Sequence, residues 1–218
     1  VSDKAPHQVT GLVFGLPSPM LKSLDEAVAE FRKLPGTVSF GAWKLVDGAP
    51  QPMAQLNADQ SLALGSAFKL FVLGALADDS RAGRRHLSDV VTLQSSARSL
   101  PSGQMQSWPD GSPATLATLA SLMISISDNT ATDALIDALG RERLEAAVAA
   151  MGVKEPARDR PFLKTAEMFR LKFTDGGKMG DAYAGLDEAG RRAMLAKGLG
   201  TTPLSDRKST RLNSSHSS

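Results

Sequence analysis

Apolar residues recur at helical spacing at Leu24, Ala27, Val28 and Phe31, and Ser23 precedes Glu26 by the three residues of a capping box. A short helix closed by Pro35-Gly36 is predicted there. The period then shortens to two over residues 37–46, where Val38, Phe40, Ala42 and Lys44 alternate with their neighbours. Asp47-Gly48 is a hairpin-turn dipeptide, and Pro52 to Leu56 supplies a returning strand. Beyond Leu64 the pattern reads helical. Ser66 opens an apolar segment to Ala77. Leu116, Leu119, Ala120, Met123, Ile124 and Ser127 share one helical stripe, and Ala134, Leu135 and Leu139 share the next. Further helices are expected over 141–151, 165–173 and 187–195, with Pro161 and Gly176-Gly177 as breaks. Met151, Met168 and Met194 fall on apolar faces and are expected in the core. Residues 84–113 are rich in Ser, Pro and Gly without a period, which predicts a long surface loop of the kind that often carries function.

Composition narrows the function classes. The chain has 218 residues, 42% hydrophobic and 22% charged, enough for one domain with a real core. It has no cysteine, which excludes disulfide scaffolds, thiol catalysis and Cys-based metal sites. The longest apolar run, Leu70 to Ala77, falls far short of the roughly 18 residues of a membrane span. Formal charge is +2, but Arg207, Lys208 and Arg211 against Asp206 account for it, leaving 22 basic and 22 acidic residues upstream. With 5% aromatic residues and no basic stripe, a nucleic-acid partner is not expected.

The two ends read differently from the body. Residues 1–19 are expected to be the end of an upstream segment plus a linker, with Val9 to Phe14 as its last strand. Residues 206–218 are polar and aperiodic, and Asp206 to His216 resembles the translation of a sequencing adapter. A non-native disordered tail is expected there. The domain itself is expected over 20–205, cut short of its natural end.

Several chemistries can be set aside at once. There is no Gly-x-Ser-x-Gly elbow, no His-Glu-x-x-His and no phosphate-binding Walker loop. Upstream of the tail only His7 and His86 occur, and His86 follows Arg84-Arg85, a poor setting for a general base. A serine nucleophile here needs a base other than histidine. Ser66-Ala67-Phe68-Lys69 offers one, since positions i and i+3 share a helix face. Ser66 stands where the apolar helix begins, so free N–H groups favour a developing oxyanion. Lys69 enters among Phe68, Leu70 and Phe71, where desolvation lowers a lysine's proton affinity. Alone the motif is weak: a Ser-x-x-Lys arises by chance about once in a chain this long, and Ser205 to Lys208 is another. Ser127-Asp128-Asn129, 61 residues on, adds a second hydroxyl and an amide, although these are also preferred N-cap residues.

Together, Ser66-Ala-Phe-Lys69 and Ser127-Asp-Asn129 resemble the penicillin-recognising serine hydrolases, nearest to class A β-lactamases and the related DD-peptidases, from about Gly36 to Leu199. The resemblance implies an α/β (α+β) fold, an antiparallel sheet packed by helices plus a helical domain. This chain would hold the first strand pair and the helical part, with three of five strands missing. It implies Ser66 as acylated nucleophile, Lys69 as proton acceptor or relay, Ser127 as donor to the leaving nitrogen and Asn129 as ligand of the substrate's acyl amide. Asp128 is expected to be structural. The Ser66 N–H would form half an oxyanion hole, worth about 3 kcal/mol of barrier. No cofactor and no metal are implied. The substrate is expected to be a β-lactam, a peptidoglycan-like peptide or an ester, and the location periplasmic or secreted. Oligomeric state is not legible.

Two features depart from the family's pattern. Lys164-Thr165-Ala166 is not the third box, Lys-Thr/Ser-Gly, because it lacks the Gly and begins a helix. The true box is expected beyond Ser205, which makes this fragment inactive. No Glu-x-x-Leu-Asn stands among Glu155, Asp159 and Glu167 to activate a deacylating water. Esterase or DD-peptidase chemistry on the same Ser-Lys-Ser core, or a non-catalytic β-lactam or peptidoglycan binder, are the rival expectations. Arg158 and Arg160 are expected to pair with Glu155 or Asp159, Trp43 to line the sheet, and Trp108 to lie in the long loop.

Overall fold

The computed structural model describes residues 21–199. The expectations for the upstream strand and the adapter-like tail lie outside them. The chain divides between Ala63 and Leu64 into two compact units.

In the first unit, helix α1 (Leu24–Phe31) starts where the capping box predicts: Ser23 Oγ accepts from Glu26 N at 3.1 Å. The reciprocal bond is displaced by one residue, since Glu26 Oε2 accepts from Lys22 N at 2.7 Å. Strands β1 (Phe40–Val46) and β2 (Ala49–Leu56) pair antiparallel around Asp47-Gly48, whose φ angles of 50° and 80° both lie in the left-handed region. A two-residue turn of that kind matches the twist of the strands it joins. Phe31 stacks on Phe40 at 4.8 Å between centroids, seating α1 on the hairpin. The register shifts after Ala42, which leaves Met53 as an extra residue and exposed. Trp43 is also largely exposed, its ring lying over Gly41, where any Cβ would collide with it.

The second unit is helical around one buried helix. Its elements are a 3-10 turn (Gly65–Phe68), α2 (Lys69–Arg81), β3 (Val90–Thr92), β4 (Pro113–Thr115), α3 (Leu116–Ser125), α4 (Asn129–Leu139), α5 (Arg141–Ala150), α6 (Thr165–Phe173), α7 (Lys178–Ala184) and α8 (Glu188–Ala196). Buried Val72, Leu76, Met105, Leu116, Leu119, Met123, Leu135, Ile136 and Leu144 form its core. No helix among the described residues is long and apolar enough to cross a membrane.

Four expectations are corrected. The 84–113 stretch is not wholly a surface loop: β3 within it pairs antiparallel with β4, which begins at its end, and Leu93, Ala97, Ser99 and Met105 are buried. Such short strands carry too few residues to show a period. Helix α7 was missed because it is only seven residues long and contains Gly180. Met151 and Met168 are each 39% exposed, so helical phase alone misplaced them. Ser127 does not continue α3; the helix ends at Ser125 and Ser127 takes φ 56°.

Candidate active site

The helical phase of α2 explains the position of Lys69. Its buried residues are Lys69, Val72, Ala75, Leu76 and Asp79, a single stripe, so the lysine points inward while neighbouring Leu70 is 60% exposed. Lys69 is 2% exposed. Its Nζ donates to Ser127 O at 2.6 Å, Ser127 Oγ at 2.8 Å and Asn129 Oδ1 at 2.7 Å. Burial lowers its pKa to about 8, against the opposing charges of Asp128 and Asp133. As an ammonium, Lys69 has all three protons engaged. As a neutral amine it keeps two donors and gains a lone pair, so losing the proton creates the acceptor that a nucleophile needs.

The turn carrying Ser127 is built by the same contacts. A non-glycine residue at positive φ costs on the order of 1 kcal/mol and persists only where its surroundings enforce it. Here Lys69 holds the Ser127 carbonyl, and Asp128 N donates to Leu122 O at 3.1 Å. The strained residue thereby presents both its oxygens to one ammonium. Asp128 is fully buried and structural, as expected: its carboxylate caps α4 by accepting from Ala131 N at 2.9 Å, and also from Gln104 N at 2.7 Å and Met105 N at 2.9 Å. Those last two bonds strap the 99–107 segment over the start of α4. Gly103, at φ 116°, passes so near that a Cβ would stand 2.2 Å from the Asp128 carboxyl carbon.

Asn129 is held from three sides. Its N–H donates to Ser102 O at 2.9 Å, its Nδ2 to Leu100 O at 3.3 Å, and its Oδ1 receives Lys69. Lys69, Ser127 and Asn129 are thus brought together as the family resemblance implied. Ser66 stands one turn before Lys69, exposed, in the 3-10 turn that leads into α2. No hydrogen bond links Ser66 Oγ to a described residue, because the three bonds of Lys69 all go to Ser127 and Asn129.

The acids of the 155–167 region have other employment. Glu155 pairs with Arg158 at 2.7 Å on the surface. Glu167 accepts from Lys164 N at 2.8 Å at the start of α6 and pairs with Arg141 at 2.7 Å, the helix N-terminal role its position predicts. Among the described residues no carboxylate hydrogen-bonds to Ser66, Lys69 or Ser127. Phe162 is buried against Phe68, with ring centroids 6.0 Å apart, so the 160–164 segment lies beside the Ser66 turn. Its backbone is fastened by Glu145, which accepts from Phe162 N at 3.0 Å, and by Arg141, which donates to Phe162 O. Trp108 packs partly buried on the core.

Sequence reasoning missed Asp133 and Thr165. Asp133 lies four residues after Asn129, on the same face of α4, and accepts from Thr165 N at 2.6 Å, Thr165 Oγ1 at 2.8 Å and Ala166 N at 2.9 Å. The i,i+4 spacing was the available signal. Thr165 belongs to the triplet excluded as a third box; it lies instead behind the site.

The comparisons with known proteins agree with this architecture. Residues 21–194 match the model of the beta-lactamase enzyme family, and the chain belongs to that family. It carries the mixed helical and antiparallel fold shared by class A β-lactamases and the penicillin-binding protein PBP-A. A β-lactamase from Sphaerobacter thermophilus is 32% identical, with TM-score 0.51, over 59% of this chain and 47% of its own. A PBP-A variant solved as an acyl-enzyme complex with penicillin G is 26% identical, with TM-score 0.52, over 60% and 49%. An ancestral class A β-lactamase is 22% identical, with TM-score 0.51, over 72% and 65%, a likeness of fold alone. The chain therefore spans about half the length of the first two. No curated protein matches it.

Proposed function

We propose that this chain is the helical part of a β-lactamase-type serine hydrolase that forms an acyl-enzyme on Ser66. The observation that carries the proposal is the buried Lys69, held at 2.8 Å from Ser127 Oγ and 2.7 Å from Asn129 Oδ1 with its pKa lowered to about 8. At pH 7 about a tenth of such a lysine is neutral, enough to serve as a base. The neutral amine takes the Ser66 proton as Oγ bonds to the carbonyl carbon of a β-lactam. That proton then passes by way of Ser127 Oγ to the departing nitrogen as the C–N bond breaks. Asn129 orients the acyl amide. Water finally cleaves the ester and restores Ser66. Membership of the beta-lactamase family and the penicillin G acyl-enzyme of the similar PBP-A variant support this reading. Because Glu155 and Glu167 are engaged elsewhere, acylation is expected to outrun deacylation, and the ester persists.

Intact-mass measurement after incubation with penicillin G tests the assignment. On a chain extended through the third Lys-Thr/Ser-Gly box expected beyond Ser205, the expected result is a mass increase of one penicillin, with none on its Ser66→Ala variant. Equal labelling of both overturns Ser66 as nucleophile. No labelling of either favours the non-catalytic binder, and faster turnover of a short ester or a D-Ala-D-Ala peptide favours the esterase or peptidase reading.

A further inference from the structure

Behind Asn129 lies a polar cluster with no exit to solvent. Ser99, Thr130, Asp133 and Thr165 are 2%, 0%, 0% and 1% exposed. Buried polar groups of this kind are costly unless each finds a partner, and here each does. Thr130 Oγ1 lies 3.0 Å from Ser99 N and 3.1 Å from Ser99 O. Thr165 Oγ1 lies 2.7 Å from Ser99 Oγ, 2.8 Å from Asp133 Oδ1 and 3.3 Å from Asn129 O. With the carboxylate ionised, the single Thr165 proton goes to Asp133 and Ser99 donates to Thr165. When the carboxyl is protonated at Oδ1, that oxygen donates to Thr165, whose own proton turns toward Ser99 or the Asn129 carbonyl. The direction of the hydroxyl chain at Asn129 thus follows the protonation of Asp133.

We propose that Asp133 is a positioning residue for this site: its buried carboxyl gathers Thr165 and Ala166 and, by taking or releasing the Thr165 hydroxyl proton, governs the bond of that hydroxyl to the carbonyl of Asn129, whose side chain receives Lys69, while its charge acts on Lys69 from α4. The inference rests on the reading of Lys69 as proton acceptor. Burial raises the Asp133 pKa to about 6, against the opposing backbone and hydroxyl donors and Lys164, so the carboxyl changes state near pH 6. The charged groups around it are few. Lys69 lies on α2, Asp128 precedes α4, and Lys164 precedes α6, where it pairs with Asp137. On α5, Arg141 is paired with Glu167, Arg143 with Asp79 and Glu145 with Arg192. Helix α3 and the 95–97 and 105–107 turns carry no charge.

The experiment is an NMR titration of Lys69 by its ¹³Cε shift, with the amides of Asn129, Thr165 and Ala166 followed in the same samples. In the wild-type chain the Lys69 midpoint is expected near pH 8, and the three amides should share an inflection near pH 6. Asp133→Asn is expected to abolish that inflection and to move the Lys69 midpoint down by about half a pH unit or more. Thr165→Val keeps the charge and removes the link, so it should leave the Lys69 midpoint in place while Asn129 loses its inflection. An unchanged Lys69 midpoint in Asp133→Asn, or a wild-type Asn129 amide that does not sense the pH 6 event, overturns the proposal. The second criterion needs only the wild-type fold. Because the titration reads no activity, its failure is separate from a failure of Ser66 to acylate.

Discussion

Lys69 is buried because it occupies the inward stripe of α2, and it is tolerated there because three oxygens meet its three protons. That arrangement predicts how each substitution at the site fails. Lys69→Ala removes the base and leaves Ser127 Oγ and Asn129 Oδ1 without their donor. In the chain extended through the third box, acylation by penicillin G is expected to slow by about 10²–10⁴-fold, measured as the rate of mass increase. In the wild type that rate should climb as pH rises through about 8, since only the neutral amine accepts the Ser66 proton. Gly103 makes a different test. It combines φ 116° with a close approach to the buried Asp128 carboxylate, which is fixed by three amides and has nowhere to retreat. Gly103→Ala should therefore cost about 2–4 kcal/mol of stability in a denaturant titration. Gly74→Ala makes the contrast, because the atom its Cβ meets is the flexible end of the Met151 side chain. There the gain in helix propensity, about 1 kcal/mol, should leave stability unchanged or higher.

At the level of elements, α4 is the organising piece. Its first five residues, Asn129 to Asp133, are all buried and four of them are polar. Asn129 is answered by α2 through Lys69 and by Ser102, Thr130 by Ser99, Asp133 by α6 through Thr165 and Ala166, and Thr132 by the Asp128 carbonyl of the helix's own N-cap. Asp128 adds the cap and the strap. Asp128→Ala orphans the Ala131, Gln104 and Met105 amides together, and a loss of about 3–5 kcal/mol is expected, read from the midpoint of urea unfolding. Much of this was legible beforehand. The N-cap of α1, the Asp47-Gly48 turn and the bounds of α6 followed from local pattern, and the grouping of Ser127-Asp-Asn129 with Lys69 was implied by the family resemblance. The hidden structure in the 84–113 stretch was not. Its order comes from amides donated to Asp128 and from Arg98, which bonds Asp110 and the Trp108 carbonyl, and residues 10–30 positions apart leave no period to read.

At the scale of the whole molecule, two buried ionisable groups give stability a pH dependence of opposite sign at opposite ends. Asp133 titrates at about 6 in the fold against 3.8 in the open chain, so the folded protein holds the proton more tightly. Its contribution is present below pH 4 and is lost as pH rises through about 6. Lys69 titrates at about 8 against 10.5, so the folded protein releases its proton first. Stability should then be gained as pH rises from about 8 toward 10.5. Each effect is on the order of 3 kcal/mol. Unfolding free energies measured from pH 4 to 10 should show the acid-side decline vanish in Asp133→Asn and the alkaline rise vanish in Lys69→Met. A wild-type curve flat across both windows contradicts the assigned burial.

The sequence by itself determined which residue types were available and which local elements they form. Without cysteine, and with one histidine, His86, among the described residues, it left a lysine as the base, and two short motifs at a definite spacing named the candidates. Tertiary structure alone decided that Lys69 spends its donors on Ser127 and Asn129, that Ser127 takes a left-handed backbone to meet it, and that Asp133 and Thr165 stand behind the site. The reason is physical. Capping, turns and helical phase are fixed by neighbours within four residues, whereas burial of a charge and the partners that answer it depend on which helices pack together, information held by no single stretch of chain.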